Sequence, residues 1–284
     1  MSEAYPIREF ARLTGVNPVT LRAWERRYGI IKPQRTAKGH RMYNDEHIGR
    51  VKNILYWLEQ GYPIRQVKLL IKDTPPPQQD HSDNWQQLQQ QMISAATNLD
   101  SERLDQLWTD GLACYPMAVY YERCLLPVLQ HVRSQHEQPL LARSFEHLLR
   151  RKLYALVQHQ QKNNDGPALL LATNHEDAEL ELLACAYALG AAAFHVHYFG
   201  PKLSPSDIGL ALTSLASERL WLHFHPCNIS EGKQWASTLS ALSAGIFLSG
   251  AVPYVIQDDD HIHRLPESLG KQVQRFITTL GGLS

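Results

Sequence analysis

The amino-terminal fold is decided by residues 17–43, which read NPVTLRAWERRYGIIKPQRTAKGHRMY. A helix is expected to begin here, because the Asn17 side chain can cap free backbone amides and Pro18 suits the first helical position. Gly29 is expected to end the helix, and a turn-rich hairpin closing at Tyr43 follows it. The residues predicted to bury one side of the helix are Val19, Leu21, Ala23 and Trp24.

Basic side chains dominate the remainder of this stretch. Three arginines lie on the predicted helix, and further basic residues follow in the hairpin. A short basic helix next to a basic loop is typical of a helix in the major groove of DNA with a wing on the phosphates. The predicted DNA contacts are Thr20, Arg22, Arg26, Arg27, Arg35, His40, Arg41 and Tyr43.

The same residues carry a family resemblance. The segments TLRAWERRYG, KPQR and GHRMY follow one another as they do in the winged-helix head of the MerR family of transcription regulators, which this stretch resembles. The resemblance implies double-stranded promoter DNA as the partner and a homodimer on an inverted repeat. It also implies an indirect effect on RNA polymerase, through distortion of the spacer between promoter elements.

Charge is unevenly distributed along the 284 residues, although the formal net charge is zero. Residues 1–72 hold 14 Lys and Arg against 6 Asp and Glu, and the rest of the chain holds 14 against 22. A basic head on an acidic body indicates a DNA-binding module joined to a module of another kind.

The chain is predicted to divide into four parts. An all-α winged-helix head occupies 1–73, and a linker with three consecutive prolines occupies 74–82, where a Pro-rich protein-binding site is the alternative. Helical patterns predict a four-helix bundle over 83–164. A flavodoxin-like α/β domain is predicted over 165–284.

The α/β prediction rests on alternating strand and helix patterns, which favour a doubly wound parallel sheet with ligands at the carboxyl ends of its strands. The predicted strands are 168–173, 194–200, 219–225 and 245–250, with a weaker fifth at 254–257. The predicted helices are 176–189, 205–216, 231–243 and a last one at 265–280.

A bundle and a flavodoxin-like domain behind a MerR head resemble the cobalamin-binding, light-responsive regulators of the CarH and LitR type, and also their MlrA-type relatives. In the photosensors a tryptophan, nine residues and a Glu-His pair form the motif that packs over the upper face of cobalamin. Here His136 replaces the tryptophan, and Glu146 and His147 match the pair.

The lower half of the cobalamin pattern is also only partly kept. The resemblance implies that His175 would be the lower cobalt ligand, but Thr173 replaces the acidic residue that would orient it and Ala178 replaces a glycine beside the nucleotide tail. Gly200 matches the family pattern. The Ser-x-Leu segment that follows the third strand in the family is replaced here by His223, Phe224 and His225. The Gly-Gly pair that follows the fourth strand is replaced by Ser249 and Gly250. We therefore expect a degenerate module without a bound cofactor, cobalamin being the one to test.

Histidines recur as three His-x-His pairs, at 195/197, 223/225 and 261/263. A metal site needs three or four converging ligands. Partly exposed or singly hydrogen-bonded histidines are the expectation, so no metal site is predicted, and a metal site and a pH response are the alternatives. His175 is nevertheless expected near the same sheet edge as His223 and His225.

The function predicted from these features is that of a promoter-binding transcription regulator and not an enzyme. The module behind the head would serve in sensing or assembly. One alternative is a working cobalamin-dependent, light-sensing repressor, and another is a corrinoid-dependent enzyme-like module. No apolar run is long enough to span a membrane, and four scattered cysteines without a CxxC pair indicate a cytoplasmic protein.

Overall fold

The computed structural model describes residues 4–71, 82–162 and 164–281. The chain forms two compact units, Met1–Lys152 and Leu153–Ser284. The predicted linker at 74–82 lies outside the described residues, apart from its last residue, which begins a helix. Within the described ranges, no helix combines the length and apolarity needed to cross a membrane.

The first unit begins with the predicted helix-turn-helix and hairpin. The elements are β1 (Tyr5–Pro6), α1 (Ile7–Thr14), α2 (Pro18–Ala23), a π-helical turn (Trp24–Tyr28), β2 (Gln34–Arg35), β3 (Arg41–Tyr43), α3 (Asp45–Glu59) and α4 (Ile64–Leu70). The strands pair antiparallel in the order β1-β3-β2.

Local sequence explains the start and end of α2 and its π-helical continuation. The Asn17 side chain accepts a hydrogen bond from the Val19 amide at 2.8 Å, as predicted. Gly29 ends the continuation with φ at 56°, a left-handed conformation that glycine adopts without steric cost. Leu21, Ala23 and Trp24 are buried as predicted, but Val19 is 52% exposed, so the prediction for Val19 is wrong.

Five further helices follow in residues 82–161, where the sequence predicted four helical stretches. They are α5 (Ser82–Thr97), α6 (Ser101–Cys114), α7 (Met117–Tyr120), α8 (Leu126–Ser134) and α9 (Pro139–Gln161). The third predicted stretch is divided into α7 and α8 by a π-helical turn at Tyr121–Leu125.

The head shares one unit with α5 to α8 and with the part of α9 up to Lys152, and side chains on each side donate to backbone carbonyls on the other. Thr20 donates to the Leu112 carbonyl at 3.1 Å and Trp24 donates to the Cys114 carbonyl at 2.7 Å, both at the end of α6. In return, Trp85 donates to the Gly61 carbonyl just beyond α3 at 2.8 Å. The last carbonyls of a helix lack partners within it, so the contacts of Thr20 and Trp24 satisfy groups at the end of α6 that would otherwise be unpaired.

The boundary between compact units therefore differs from the predicted one. The sequence places divisions at the proline-rich linker and near residue 165, whereas the structure keeps the head with the first helices and divides the chain between Lys152 and Leu153. The proline run gave no indication of hydrogen bonds between residues about ninety positions apart, such as the bond from Thr20 to Leu112.

The second unit contains a five-stranded parallel sheet in the order β5-β4-β6-β7-β8, which is the flavodoxin-like order. The strands are β4 (Ala168–Thr173), β5 (His195–Tyr198), β6 (Arg219–Phe224), β7 (Gly245–Gly250) and β8 (Ile262–Arg264). A 3₁₀ turn (Glu176–Ala178) follows β4, and the helices are α10 (Glu179–Ala191), α11 (Pro205–Leu215), α12 (Ile229–Leu239) and α13 (Leu269–Gly281).

The fifth strand lies later in the chain than predicted. Residues 254–257 form a turn in which Tyr254 is exposed, and β8 begins at Ile262. The Asp259 carboxylate accepts hydrogen bonds from the amides of His261 and Ile262 and so holds the turn that leads into this strand. The prediction of a strand at 254–257 is therefore wrong, because the apolar residues Val255 and Ile256 belong to the turn.

Candidate functional site

One part of the predicted DNA surface is formed by two arginines, one on α2 and one on its π-helical continuation. Arg22 and Arg26 are exposed, and neither forms an ion pair with a residue in the described ranges. Arg27 is also exposed, but it lies 3.9 Å from the Asp110 carboxylate of α6. Arg22 and Arg26 are therefore the arginines most available to an approaching phosphate.

A partly buried acidic side chain holds the base of the hairpin. Glu25 is only 17% exposed, binds Arg35 at 2.7 Å and also pairs with Arg41. Burial alone would raise the pKa of Glu25, but hydrogen bonds from Arg41 and Arg35 leave it below its ordinary value. The carboxylate thus orients both arginines, while His40 at the hairpin turn remains exposed.

Two of the predicted DNA contacts have to be corrected, because their side chains are buried. Thr20 is 1% exposed and donates to the Leu112 carbonyl. Tyr43 is also 1% exposed and stacks on Phe10 with ring centroids 4.1 Å apart. The motif position alone did not distinguish a residue that supports the DNA surface from one that contacts DNA.

A second group of polar side chains lies at the carboxyl ends of β4 and β6. These neighbouring parallel strands mark the point where the strand order reverses, and ligands commonly bind there in this kind of sheet. His175 follows β4 and His225 follows β6, and their rings stack with centroids 4.3 Å apart. The Asp177 carboxylate lies 3.3 Å from Nδ1 of His175 and 3.6 Å from Nε2 of His225.

The backbones of the two loops are tied together by one amide side chain. Asn174 donates through Nδ2 to the His225 carbonyl at 2.9 Å and accepts from the His225 amide at 2.8 Å. The Thr173 hydroxyl accepts a hydrogen bond from the His175 amide at 3.2 Å. In the cobalamin pattern a carboxylate at this position would instead orient the imidazole ring. Both histidines therefore have fixed backbone positions.

The adjacent part of the edge is filled by His223. Its Nδ1 lies 3.0 Å from the Ser249 hydroxyl, which also accepts from the Trp221 indole at 2.9 Å. Burial, with a smaller contribution from His225, lowers the pKa of His223 to about 4, so the ring is neutral near pH 7. The backbone of Gly250 lies so close to the end of β6 that a Cβ at this position would be 2.2 Å from the Phe224 carbonyl oxygen.

Comparison with known proteins agrees with the helix-turn-helix geometry. The model of the MerR HTH family regulatory protein matches residues 5–74. The HTH-type transcriptional regulator MlrA of Escherichia coli is 33% identical over 178 residues, which cover 61% of this chain and 70% of that protein. The chain belongs to the MerR family of regulators.

Other similarities extend further along this MerR-family chain. The HTH-type transcriptional repressor CarH of Myxococcus xanthus is 26% identical over 228 residues, covering 74% of this chain and 75% of that protein. Among solved structures, the monomethylamine corrinoid protein of Methanosarcina barkeri aligns with a TM-score of 0.49 and 13% identity, covering 68% of this chain and 99% of that chain.

The remaining predicted ligand residues lie in different local settings. In the first unit His136 and His147 are exposed, and Glu146 pairs with Arg133 at 2.7 Å and with Arg150 at 3.8 Å. In the second unit Gly200 follows β5 with φ at 98°.

The structure brings together His175, His223, His225 and Ser249, but sequence reasoning missed two of their neighbours. Asp177 could have been found from its position two residues after His175 in a short turn. Asn174 could not, because its role depends on the pairing of β4 with β6.

Proposed function

We propose that the chain binds promoter DNA as a homodimer and regulates transcription, with the second unit serving in sensing or assembly in the cytoplasm. The observation that carries this proposal is the exposure of Arg22 and Arg26 on a helix whose other side is held by Thr20 and Trp24. Arginines presented by a rigid helix suit major-groove and phosphate contacts. RNA polymerase would be affected indirectly, through the shape of the promoter.

The DNA proposal is tested by fluorescence anisotropy with a labelled promoter fragment at several salt concentrations. Arg22→Ala should weaken binding and reduce the slope of log affinity against log salt by about 0.9 for each lost phosphate contact. Arg275→Ala removes the same charge from an exposed position on α13 and should leave the slope unchanged. Equal slopes for wild type and Arg22→Ala would contradict the proposed contact.

The effector module is proposed to be a degenerate form of the cobalamin-binding type. Support comes from the edge beyond β4 and β6, where His175 already stacks on His225 and His223 is hydrogen-bonded to Ser249. The His225 ring lies against His175, and Thr173 offers no carboxylate to the His175 ring. These contacts support a module that does not hold a corrinoid through His175.

A visible absorption spectrum after incubation with hydroxocobalamin and removal of the unbound excess tests this proposal. We expect no stoichiometric corrinoid and no light-dependent change in oligomeric state. Stoichiometric binding with a spectrum that changes in His175→Ala would instead establish the light-sensing alternative. A corrinoid-dependent enzyme receives no support from the curated relatives described above, because both are transcription regulators.

A further inference from the structure

The cluster of His175, Asp177 and His225 has the composition of a metal site. Two imidazoles and one carboxylate are ligands that Zn²⁺ and other divalent first-row metals accept, with a further position left for water or another ligand. One donor atom from each residue lies within 4.8 Å of the other two. The sequence predicted no metal site, and the pattern of histidines alone gave no indication that Asp177 would join His175 and His225.

The distances to the carboxylate agree with coordination geometry. Ligand atoms bound at about 2.0–2.2 Å to a tetrahedral Zn²⁺ are separated from one another by about 3.4 Å. The Asp177 oxygen lies 3.3 Å from His175 Nδ1 and 3.6 Å from His225 Nε2. Only the two nitrogens, which lie within 4.8 Å of each other, would need to approach through side-chain rotation.

The turn after His175 presents two groups to the same ring nitrogen. The Asp177 amide donates to His175 Nδ1 at 3.2 Å, and the Asp177 carboxylate lies 3.3 Å from that nitrogen. A metal ion bound at Nδ1 would replace this long hydrogen bond.

The backbone around the cluster is also organised in advance. Asn174 clamps the loop after β4 to the loop after β6 through two hydrogen bonds with His225, and the Thr173 hydroxyl accepts from the His175 amide. Residues that fix the ligands in this way strengthen metal sites. The Asp177 side chain is 58% exposed, which leaves an entry path for a hydrated ion.

We propose that His175, Asp177 and His225 bind a divalent first-row transition metal, with Zn²⁺ as the first candidate, at the edge of the second unit. The inference rests on the proposed function only in assigning the bound metal as the ligand of the sensing module. His175 cannot at the same time serve this metal and be the lower ligand of a corrinoid. The metal proposal thus gives the degenerate module a ligand of a different chemical class.

The experiment is an isothermal titration of the full chain, freed of metal by chelation and dialysis, with Zn²⁺. We expect one Zn²⁺ per chain. Asp177→Asn keeps the size of the side chain but removes its charge, and it should lower the affinity by at least about 100-fold, because losing even an outer partner of a ligand costs about 10–100-fold. Co²⁺ in the same site should give a visible absorption band that excess Zn²⁺ abolishes.

The matched control is His195→Gln. His195 stacks on His197 with centroids 4.6 Å apart, which resembles the stack of His175 on His225, but within the described residues no carboxylate completes a three-ligand group there. The control variant should bind Zn²⁺ like wild type. His225→Gln should lose affinity to a similar degree as Asp177→Asn.

Three outcomes would overturn the metal proposal. They are an absence of Zn²⁺ binding by wild type, binding that is unchanged in both Asp177→Asn and His225→Gln, and stoichiometric corrinoid uptake that requires His175. The promoter anisotropy assay on the same metal-free protein separates this failure from a failure of the proposed function. If that protein binds promoter DNA but no Zn²⁺, only the metal inference is wrong.

Discussion

The bond from Thr20 to the end of α6 allows a direct test of how the head is held. The residue four positions after Leu112 is Pro116, which has no amide hydrogen, so the Leu112 carbonyl cannot be satisfied within its own helix. The Thr20 hydroxyl supplies the missing donor at 3.1 Å, and its side chain is buried. Thr20→Val keeps the shape of the side chain but removes this donor.

The expected loss is set by the carbonyl left without a partner. A buried polar group that loses its hydrogen bond costs about 1–3 kcal/mol of unfolding free energy. With a denaturant slope of about 2 kcal/mol/M, the urea midpoint should fall by about 0.5–1.5 M. Tryptophan fluorescence of the full chain reports on this unit, because it holds four of the six tryptophans, namely Trp24, Trp57, Trp85 and Trp108.

The control substitution is Thr97→Val in the same unit. The Thr97 hydroxyl is exposed and donates to the Ile93 carbonyl of its own helix, so the change should remain within about 0.5 kcal/mol. Promoter affinity of Thr20→Val should equal that of wild type under folding conditions. Equal stability of the two variants, or weaker DNA binding by Thr20→Val without lost stability, would refute the structural role and restore Thr20 as a DNA contact.

Two further changes test backbone strain and charge. Gly250→Ala should lower the free energy of unfolding of the second unit by about 1–3 kcal/mol, because φ at Gly250 is 75° and a Cβ there would meet the Phe224 carbonyl. Gly209→Ala, which has open space inside α11, should instead raise the free energy of unfolding by about 0.5–1 kcal/mol. Urea unfolding followed by circular dichroism measures both changes. Glu25→Gln should destabilise the head at pH 7. The loss of stability should become smaller as the pH falls below 4.5, the ordinary pKa of a glutamate, because a carboxyl group with a lowered pKa stabilises the fold only while it is ionised. A loss of stability that does not change with pH would contradict this.

Much of the second unit could be predicted from the sequence because its strands are buried on both faces. Such strands appear as continuous apolar runs, and 168–173 and 245–250 coincide with β4 and β7. The fifth strand could not be found in this way, because β8 has three residues and depends on the Asp259 turn. Local pattern carries little information about an edge strand that short.

The helix boundaries of the head could also be predicted from the sequence, but the contacts that hold α2 against α6 could not. Caps such as Asn17 act on their own neighbours and leave a mark in the local sequence. The contacts of Thr20 and Trp24 with α6 join residues about ninety positions apart and leave no such mark. A residue in a DNA-binding motif can therefore stabilise the fold of the motif from a buried position, as Tyr43 does by stacking on Phe10.

The ligand edge shows why a resemblance can be correct for the fold and insufficient for the ligand. The sequence placed His175 and His225 near one edge, and the parallel pairing of β4 with β6 brings their rings together. His225 lies where the cobalamin pattern would have an apolar residue. This difference argues against corrinoid binding, and it also supplies the second imidazole of the metal cluster. Asp177 then adds a carboxylate ligand to the two imidazoles. Zn²⁺ binding that depends on Asp177 would mean that the module exchanged one ligand class for another while keeping His175 in place.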